Sequence, residues 1–491
     1  MILSDLLDGY RVETLTGDRD RPVSALCDDS RKVVPDSLFF AVKGARTDGN
    51  RYIPDAIKRG ARVVVSEQNH KPSGDYTFVK VQDIHDAMAF LADRFYGHPS
   101  GSFGLVGITG TNGKTTTAYL IYQMLRLLGK KTGLIGTINY IIGDTVMKAT
   151  LTTPTAIQFQ RLLDRMREAS MEYVVTEVSS HALDQRRVEY SDFDVAVFTN
   201  LSRDHLDYHG DMDSYFRAKE RLFLELNPLR AVINMDDSYG NRLLDSLKEK
   251  ETDIIGYGLS LSADLYAVDI STGTWGTEFG LYYQGHFYSR VKSRLLGIVN
   301  IYNMLAAIGS MIALGFDLKD ILALCESLNP AEGRMEIINE GQPYTVVVDY
   351  AHTPDALEKL LETLRGLGGK RLITLFGCGG DRDRGKRPLM GEIASGLSDY
   401  VFITSDNPRT EKPQLIVEDI VKGIRSDNYT VVLDRREAIF RAVEFCNPGD
   451  ILVVAGKGHE DYQEINGKRI PFDDRNTVRQ AIKHRLKRTF Q

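Results

Sequence analysis

The sequence contains few cysteines and no close pair of them. Its 491 residues include four, Cys27, Cys325, Cys378 and Cys446, and no two of them form a CxxC motif. Four widely spaced thiols are too few for the disulfide framework of a secreted protein of this length. We therefore expect unpaired cysteines that pack as ordinary core or loop residues, and a cytoplasmic protein.

Membrane and export signals are also missing. No run of about 18 apolar residues occurs, so we expect no membrane-spanning helix. The first residues include Asp5 and Asp8 and lack the basic region of a signal peptide.

The chain lacks a large excess of either charge. Lys and Arg together number 61 and Asp and Glu number 67, which gives a net charge of −6. This balance disfavours a nucleic-acid-binding role for the chain as a whole. Apolar residues make up 42%, and the length predicts about three folded domains.

The order of apolar runs and amphipathic stretches predicts an α/β fold. Residues 1–98 indicate a small mixed domain, and the turn-forming residues at 96–102 indicate a linker. Regions 99–332 and 333–491 alternate strands with helices, which is typical of parallel, doubly wound sheets. Between residues 255 and 295 the β-rich, glycine-punctuated pattern favours antiparallel strands flanking the central region.

Polar residues follow many of the predicted strands directly. Ligands of open parallel sheets bind outside the carboxyl ends of the strands, so these clusters predict an active site between the second and third domains. The clusters are residues 110–115, 177–181, 200–205, 349–352, 377–382, 406–409 and 456–460.

A glycine-rich segment, Gly110-Thr-Asn-Gly-Lys-Thr-Thr-Thr117, lies between a predicted strand and a predicted helix. Such a loop lets backbone N–H groups surround phosphate oxygens, with added positive potential from the helix N-terminus. Lys114 is then placed to reach the terminal phosphates, and the Thr115 hydroxyl suits Mg²⁺. The strict P-loop spacing would require glycine where this chain has Ile108.

Two further residues are candidate magnesium ligands. Glu177 and His205 follow strands that we expect beside the strand of the phosphate loop, where they could hold Mg²⁺ between phosphate and substrate. Asp204, Asp207 and His209 lie in the same loop as His205, so the choice among them stays open.

Several of these stretches together resemble the Mur ligase family. They are Gly110–Thr117, Glu177-Val-Ser-Ser-His181, the stretch 199–209, Asp349-Tyr-Ala-His-Thr-Pro-Asp355, residues 377–383 and Asp406-Asn-Pro-Arg409. The resemblance extends over essentially the whole chain. It also accounts for Ile108, because the family uses Gly-Thr-Asn-Gly-Lys-Thr in place of the strict spacing.

The resemblance implies three domains and an amide ligation. Residues 1–98 would bind the UDP end of the substrate, 99–332 would form a P-loop-type ATPase domain, and 333–491 would form a Rossmann-like amino-acid domain. The implied reaction is ADP-forming: ATP and Mg²⁺ activate UDP-MurNAc-L-Ala-D-Glu as an acyl phosphate, which the amine of meso-diaminopimelate then attacks. We expect a monomer with small-molecule substrates and a role in peptidoglycan precursor synthesis.

The resemblance also implies a role for individual residues. ATP would contact Gly110, Thr111, Asn112, Gly113, Lys114, Thr115, Thr116, Asn300, Arg334 and Asp349. The UDP-MurNAc-dipeptide would contact Ser30, Thr152, Thr153, Ser179, Gln185 and Arg187. The amino acid would contact Arg382, Asp406, Asn407, Pro408, Arg409, Gly456 and Glu460. The metal ligands would be Thr115, Glu177, His205 and carbamylated Lys219, and the catalytic residues Lys114, His205 and Lys219.

The residues alone support the assignment of Arg409 but not that of Lys219. Lys219 lies in a helical stretch and by itself reads as a solvated lysine; only the resemblance makes it a carbamylated metal ligand. Arg409 follows a predicted strand, and its planar guanidinium suits the distal carboxylate that distinguishes meso-diaminopimelate from L-lysine. Arg382 would be a second carboxylate contact, and Glu460 would take the distal ammonium.

Three other functions are open on the sequence alone. The same ligation could use L-lysine, or the chain could be a folylpolyglutamate synthase, although the N-terminal 98 residues and Asp406–Arg409 argue against the latter. A nucleotide-binding protein without ligase activity would leave the polar clusters of the second and third domains unexplained.

Overall fold

The computed structural model describes residues 1–44, 47–71 and 73–489. By their contacts these residues form two compact units, Met1–Gly258 with Ala306–Leu318, and Leu259–Leu305 with Lys319–Gln491. Helix α10 (Ile298–Ala313) contributes residues to both. The domain boundaries near residues 98 and 332 stay a prediction.

The first unit begins with a small sheet and its helices. The strands are β1 (Thr14–Thr16), β2 (Ala25–Cys27), β3 (Ser37–Phe40), β4 (Ala61–Ser66) and β5 (Thr77–Lys80). The helices are α1 (Leu3–Leu7), α2 (Ile53–Lys58) and α3 (Ile84–Phe95), with 3₁₀ turns at Ser30–Lys32, Gly49–Tyr52 and Pro99–Ser102. The sheet order is β1-β5-β4-β3-β2, parallel except for β1. In the predicted linker, Pro99 and Ser100 are buried.

A larger sheet follows in the same unit. Its strands are β6 (Gly104–Thr109), β7 (Thr132–Ile135), β8 (Asn139–Ile142), β9 (Thr145–Lys148), β10 (Tyr173–Glu177), β11 (Val195–Phe198), β12 (Arg230–Asn234) and β13 (Asp253–Gly258). The helices are α4 (Lys114–Leu127), α5 (Ala156–Glu168), α6 (Ser180–Asp184), α7 (Leu206–His209), α8 (Met212–Leu224) and α9 (Ser238–Leu247).

The strand order of this sheet determines where polar side chains meet. Strand β6 lies between β10 and β11 and is parallel to both, as predicted for the strands preceding Glu177 and His205. Since parallel strands end at the same sheet edge, the residues that follow β6, β10 and β11 share one edge.

The second unit combines antiparallel strands with a mostly parallel sheet. The strands are β14 (Leu265–Gly273), β15 (Gly276–Tyr283), β16 (His286–Ser293), β17 (Glu336–Ile337), β18 (Thr345–Asp349), β19 (Leu372–Phe376), β20 (Tyr400–Ile403), β21 (Tyr429–Val431), β22 (Ile451–Ala455), β23 (Tyr462–Ile465) and β24 (Lys468–Pro471). The helices are α11 (Leu318–Leu324), α12 (Pro354–Arg365), α13 (Lys386–Leu397), α14 (Pro413–Val421), α15 (Arg435–Phe445) and α16 (Asp474–Thr489), with a 3₁₀ turn at Cys325–Ser327.

Two predictions for this unit are confirmed. Strands β14, β15 and β16 pair antiparallel. The sheet β17-β18-β22-β19-β20-β21 is parallel except for β17 and has helices in alternation along the chain, so the α/β fold with parallel sheets is confirmed. The hairpin β23–β24 was not predicted, although Asn466-Gly467 between its strands is a strong turn signal.

The structure also shows the state of the cysteines and the character of the helices. All four cysteines are buried and form no disulfide, as predicted. Within the described ranges, no helix has both the length and the apolar character needed to cross a membrane.

Candidate active site

The glycine-rich loop lies where the sequence places it, between β6 and α4. Gly110 has a φ of +146°, and a Cβ there would lie 1.9 Å from Thr199 Oγ1. Gly113 has a φ of +86° and precedes the first turn of α4. Only glycine adopts both conformations at low cost, so the two glycines shape a loop that exposes backbone N–H groups at a helix N-terminus.

Residues after β11 brace this loop. The backbone N–H of Thr111 donates to Asn200 O at 2.8 Å, and that of Asn112 donates to Asn200 Oδ1 at 2.9 Å. Thr111 Oγ1 also donates to Ser202 O at 3.2 Å. The predicted clusters 110–115 and 200–205 therefore form one structure.

The side-chain amines of two lysines donate to the same loop carbonyl, that of Gly110. Lys114 Nζ donates to Gly110 O and Thr111 O, both at 2.8 Å, and Lys219 Nζ also donates to Gly110 O at 2.8 Å. Burial, together with the charge of Lys114, lowers the pKa of Lys219 well below its usual value. The Lys219 amine thus lies at the loop in a buried environment that favours its neutral form.

The prediction of a solvated Lys219 from the residues alone is wrong, because Lys219 is 1% exposed. It lies one helical turn after Tyr215 on the buried face of α8, and its Nζ lies 4.7 Å from the centroid of the Tyr215 ring. The Tyr215 hydroxyl in turn lies 3.1 Å from Thr111 Oγ1. Packing of α8 against the loop therefore buries the Lys219 side chain.

Glu177 is fully buried at the end of β10 and is surrounded by donors. Its Oε2 accepts from Thr115 Oγ1 at 2.8 Å and from Thr137 Oγ1 at 2.9 Å, and its Oε1 accepts from the Thr137 N–H at 2.7 Å. A Cβ on Gly136 would lie 2.6 Å from Oε1, so the 136–137 turn closes tightly over the carboxylate. Thr137 was not among the predicted site residues.

The residues predicted for the muramoyl-peptide form one network beside Glu177. Thr153 Oγ1 donates to Glu177 O at 2.8 Å and accepts from the Ser179 N–H at 3.0 Å. Arg187 Nη1 donates to Thr153 O at 2.9 Å, and Arg187 Nη2 donates to Gln185 Oε1 at 2.7 Å. Thr152 Oγ1 lies 3.1 Å from Thr137 Oγ1.

A cavity of about 690 Å³ connects this network with the small sheet. Ser30, Gln185 and Arg187 are among its lining residues, with Thr155 and His85. The structure therefore brings Ser30, predicted for the uridine side, to the same cavity as two residues predicted for the peptide.

His205 lies in the loop after β11 with a left-handed φ of +53°. Its backbone N–H donates to Asp204 Oδ1 at 2.8 Å, and its ring Nε2 lies 3.6 Å from Asp204 Oδ2. Burial lowers the pKa of His205, the adjacent Asp204 carboxylate opposes this shift, and the charge of Lys114 lowers the pKa further. In the part of the chain that the structure describes, no group of three or more His, Cys, Asp and Glu side chains has metal-binding geometry.

His181, which the sequence placed only within a polar cluster, packs beside His205. The ring centroid of His181 lies 4.9 Å from that of His205, 5.5 Å from that of His209 and 4.2 Å from that of Tyr208. Burial, with the charges of the other histidines, lowers the pKa of His181 to about 4. His181 is therefore a neutral ring at physiological pH.

In the second unit, Asp349 and Arg334 lie together at the end of β18. Asp349 accepts from the N–H groups of Met335 and Ala351, both at 2.7 Å, and burial raises its pKa while Arg334 opposes the shift. The Arg334 guanidinium lies 4.8 Å from the centroid of the Tyr350 ring, and its Nε is buried without a hydrogen-bond partner among the described residues.

Asn300, also predicted to contact ATP, is buried in α10 and has internal partners. Its Nδ2 donates to Leu296 O at 2.9 Å, and its Oδ1 accepts from Asn303 Nδ2 at 2.9 Å.

The residues predicted for the amino acid follow three adjacent strands, β22, β19 and β20. Asn407 Nδ2 donates to Glu460 Oε2 at 2.9 Å, which joins the loops after β20 and β22. Arg409 Nη1 donates to Gly380 O at 2.7 Å, which joins the loops after β20 and β19. Arg382 is exposed, and its Nη1 lies 3.3 Å from Asp381 O.

The hairpin β23–β24 contributes a residue that sequence reasoning missed. Glu464 Oε2 lies 3.3 Å from Arg409 Nε, and Glu464 O accepts from the Arg409 N–H at 2.9 Å. Arg409 itself has a left-handed φ of +51°, and its side chain is 19% exposed. The guanidinium is thus held on two sides.

The glycine loop at the start of α4, with Lys114, Thr115 and buried Glu177, has the arrangement that binds phosphate in many α/β enzymes. Three family models match the chain. "Mur ligase family, catalytic domain" matches residues 22–96, "Mur ligase middle domain" matches 108–311 and "Mur ligase, glutamate ligase domain" matches 333–458.

Curated relatives match over nearly the full length. A UDP-N-acetylmuramoyl-L-alanyl-D-glutamate–2,6-diaminopimelate ligase from Clostridium acetobutylicum is 43% identical over 98% of this chain and 99% of the relative. A ligase of the same name from Solibacter usitatus is 45% identical over 94% of each chain. The chain therefore belongs to the Mur ligase family and is a ligase.

Solved structures agree in fold. A structure titled as the same diaminopimelate ligase has a TM-score of 0.73 at 35% identity and covers 99% of this chain and 100% of its own. A MurF ligase from Thermotoga maritima, solved in complex with ADP, has a TM-score of 0.61 at 20% identity and covers 95% of this chain and 98% of its own. At that identity the second comparison shows the fold alone.

Proposed function

We propose that the protein joins meso-diaminopimelate to UDP-MurNAc-L-Ala-D-Glu in an ATP-dependent, ADP-forming reaction of peptidoglycan precursor synthesis. One observation carries the proposal: the phosphate loop, the Thr115–Glu177 hydrogen bond and the residues predicted for the muramoyl-peptide form a continuous network in one unit. Its relatives carry the name of this ligase.

The chemistry requires a nucleotide because a carboxylate is a poor acylating agent. A terminal carboxylate oxygen of the D-glutamyl residue attacks the γ-phosphorus of ATP, and the bond to the β–γ bridging oxygen breaks to release ADP. The amine of the amino acid then attacks the acyl carbon. Inorganic phosphate leaves with the former carboxylate oxygen, and the nitrogen loses a proton.

The loop residues 110–116 are proposed to hold the ATP phosphates. The N–H groups at the start of α4 face the phosphates, and Lys114, which now caps the carbonyls of Gly110 and Thr111, supplies a cation beside them. Arg334, whose Nε is buried without a partner in the described chain, is proposed as a further ATP contact, as are Asp349 and Asn300.

The donor set at this site fits Mg²⁺. The Thr115 hydroxyl and Glu177 carboxylate already meet at 2.8 Å and are the hard oxygen ligands that Mg²⁺ prefers. His205 and a carbamate on Lys219 are proposed as the remaining protein ligands. A bound magnesium ion neutralises charge that develops on the transferring phosphoryl group.

The geometry around Lys219 supports its carbamylation. Reaction of an amine with carbon dioxide forms an N–C bond and releases a proton, and it requires the uncharged amine. Lys219 is buried, and its amine lies at the carbonyl of Gly110, directly beside the phosphate loop.

The second substrate is proposed to lie in the cavity lined by Ser30, Gln185 and Arg187. Its peptide end would run along the network of Thr152, Thr153 and Ser179 towards Glu177. That path ends beside Thr115, where phosphoryl transfer is proposed.

The amino-acid preference is proposed to depend on Arg409 and Arg382. Arg409 would bind the distal carboxylate of meso-diaminopimelate, with Arg382 as a second contact. Glu460, Asp406, Asn407, Pro408 and Gly456 would surround the distal amine.

The test is ADP release by the purified protein, coupled to a spectrophotometric readout, with a panel of diamino acids. We expect turnover only when ATP, UDP-MurNAc-L-Ala-D-Glu and meso-diaminopimelate are all present. Equal turnover without the amino acid would indicate an uncoupled ATPase, and equal or faster turnover with L-lysine would refute the assigned substrate.

A further inference from the structure

Lys457, in the loop after β22, has a side chain that is 0% exposed. A buried ammonium is costly unless charged or polar groups compensate it. Lys457 lies between Gly456 and Glu460 in sequence, but neither the motifs nor the family resemblance assigned it a role.

The partners of Lys457 are the residues predicted to bind the amino acid. Its Nζ lies 3.0 Å from Glu460 Oε2, 3.2 Å from Asn407 Oδ1 and 3.9 Å from Asp406 Oδ1. One buried cation therefore contacts three side chains from the loops after β20 and β22.

These contacts determine the orientation of the Asn407 side-chain amide. Its Oδ1 accepts from Lys457 Nζ and also from the Glu464 N–H at 2.9 Å. Two donors on the oxygen leave Nδ2 to donate to Glu460 Oε2, which it does at 2.9 Å. The amide is thus fixed in the one orientation that supports Glu460.

The Glu460 carboxylate is held by one oxygen only. Oε2 accepts from both Asn407 Nδ2 and Lys457 Nζ, whereas Oε1 has no hydrogen-bond partner within the described chain. The backbone at Gly456 packs closely against Asp406, since a Cβ there would lie 2.8 Å from Asp406 Oδ2. Oε1 is therefore a fixed acceptor for a ligand cation.

We propose that Lys457 is a positioning residue for the amino-acid substrate, anchoring Glu460 and Asn407 so that Glu460 Oε1 receives the substrate ammonium. The inference rests on the proposed function. Without Lys457, the carboxylates of Glu460 and Asp406 lose the cation that contacts them both, and they repel each other more strongly. Glu460 then turns away, and the ammonium loses its acceptor.

The first test is the Lys457→Met variant, which keeps the length of the side chain and removes the charge. A hydrogen bond to a charged group is worth roughly 1.5–3 kcal/mol, so KM for meso-diaminopimelate should rise about 10- to 150-fold. KM for ATP and for UDP-MurNAc-L-Ala-D-Glu should stay unchanged. The matched control is Lys359→Met, which removes a half-exposed lysine paired with Asp355 on α12 and should alter none of the three.

A double-mutant cycle separates positioning from a general structural role. If Lys457 acts through Glu460, Lys457→Met should change KM for the amino acid by less than about twofold in a Glu460→Gln background. Full additivity of the two changes, or an equal rise of all three KM values, would overturn the proposal. Failure of the proposed function is seen separately, as absence of diaminopimelate turnover by the wild type.

A second variant covers loss of folding. If circular dichroism shows that Lys457→Met is unfolded, Lys457→Gln keeps a neutral donor and should fold while still showing the raised KM for meso-diaminopimelate. A folded Lys457→Gln with the wild-type KM would contradict the proposal.

Discussion

Replacing Arg409 by alanine should abolish the preference for meso-diaminopimelate over L-lysine. Arg409 Nη1 is bonded to Gly380 O and Nε faces Glu464, while Nη2 has no hydrogen-bond partner among the described residues. Loss of one or more charge-assisted bonds at roughly 1.5–3 kcal/mol each predicts a fall of at least about 10- to 150-fold in kcat/KM for meso-diaminopimelate. L-lysine has no distal carboxylate and should lose far less.

The control for this prediction is Glu464→Gln. That change removes the charge facing Nε but leaves the guanidinium, so the preference for meso-diaminopimelate should persist. Arg409→Lys should lose most of the preference, because an ammonium cannot present a planar pair of donors. The assay compares kcat/KM for the two amino acids in each protein. An Arg409→Ala variant with the wild-type ratio would refute the assignment of Arg409 as the discriminating residue.

Three further predictions concern the first unit. Lys114→Ala should lower turnover about 100- to 1,000-fold with unchanged Tm, and a folded variant with normal turnover would contradict the phosphate-loop assignment. Lys219→Ala activity should be partly restored by short carboxylates, and a crystal structure grown in bicarbonate that shows a bare ammonium would oppose carbamylation. The Asp93 and Asp192 carboxylates raise the pKa of His98 above 6.5, so its charge stabilises the fold below that pH. This contribution is lost as the pH rises through the raised pKa, so the Tm advantage over His98→Gln should shrink from about pH 6 to about pH 9, and a constant difference would contradict it.

Local signals were sufficient to predict much of the fold and the position of the glycine-rich loop. Glycines 110 and 113 between an apolar strand and a helix locate the phosphate loop, because their conformations are accessible to few other residues. The alternation of strands and helices implies parallel sheets, and it placed Glu177 on a strand next to β6.

Long-range packing accounts for what was missed. The charged side chain of Lys219 predicts an exposed position on the helix, whereas the contact of α8 with the loop buries it. Glu464 meets Arg409 only because the hairpin β23–β24 folds back onto the loop after β20. Lys457 likewise gains its partners from a distant loop.

The central claim, amide ligation through an acyl phosphate, is tested most directly by isotope transfer. The protein is incubated with ATP, meso-diaminopimelate and UDP-MurNAc-L-Ala-D-Glu that carries heavy oxygen in the terminal D-glutamyl carboxylate. Mass spectrometry then follows the label in the released phosphate and in the product. The account predicts one labelled oxygen in phosphate for each amide bond formed, and phosphate without label would contradict it.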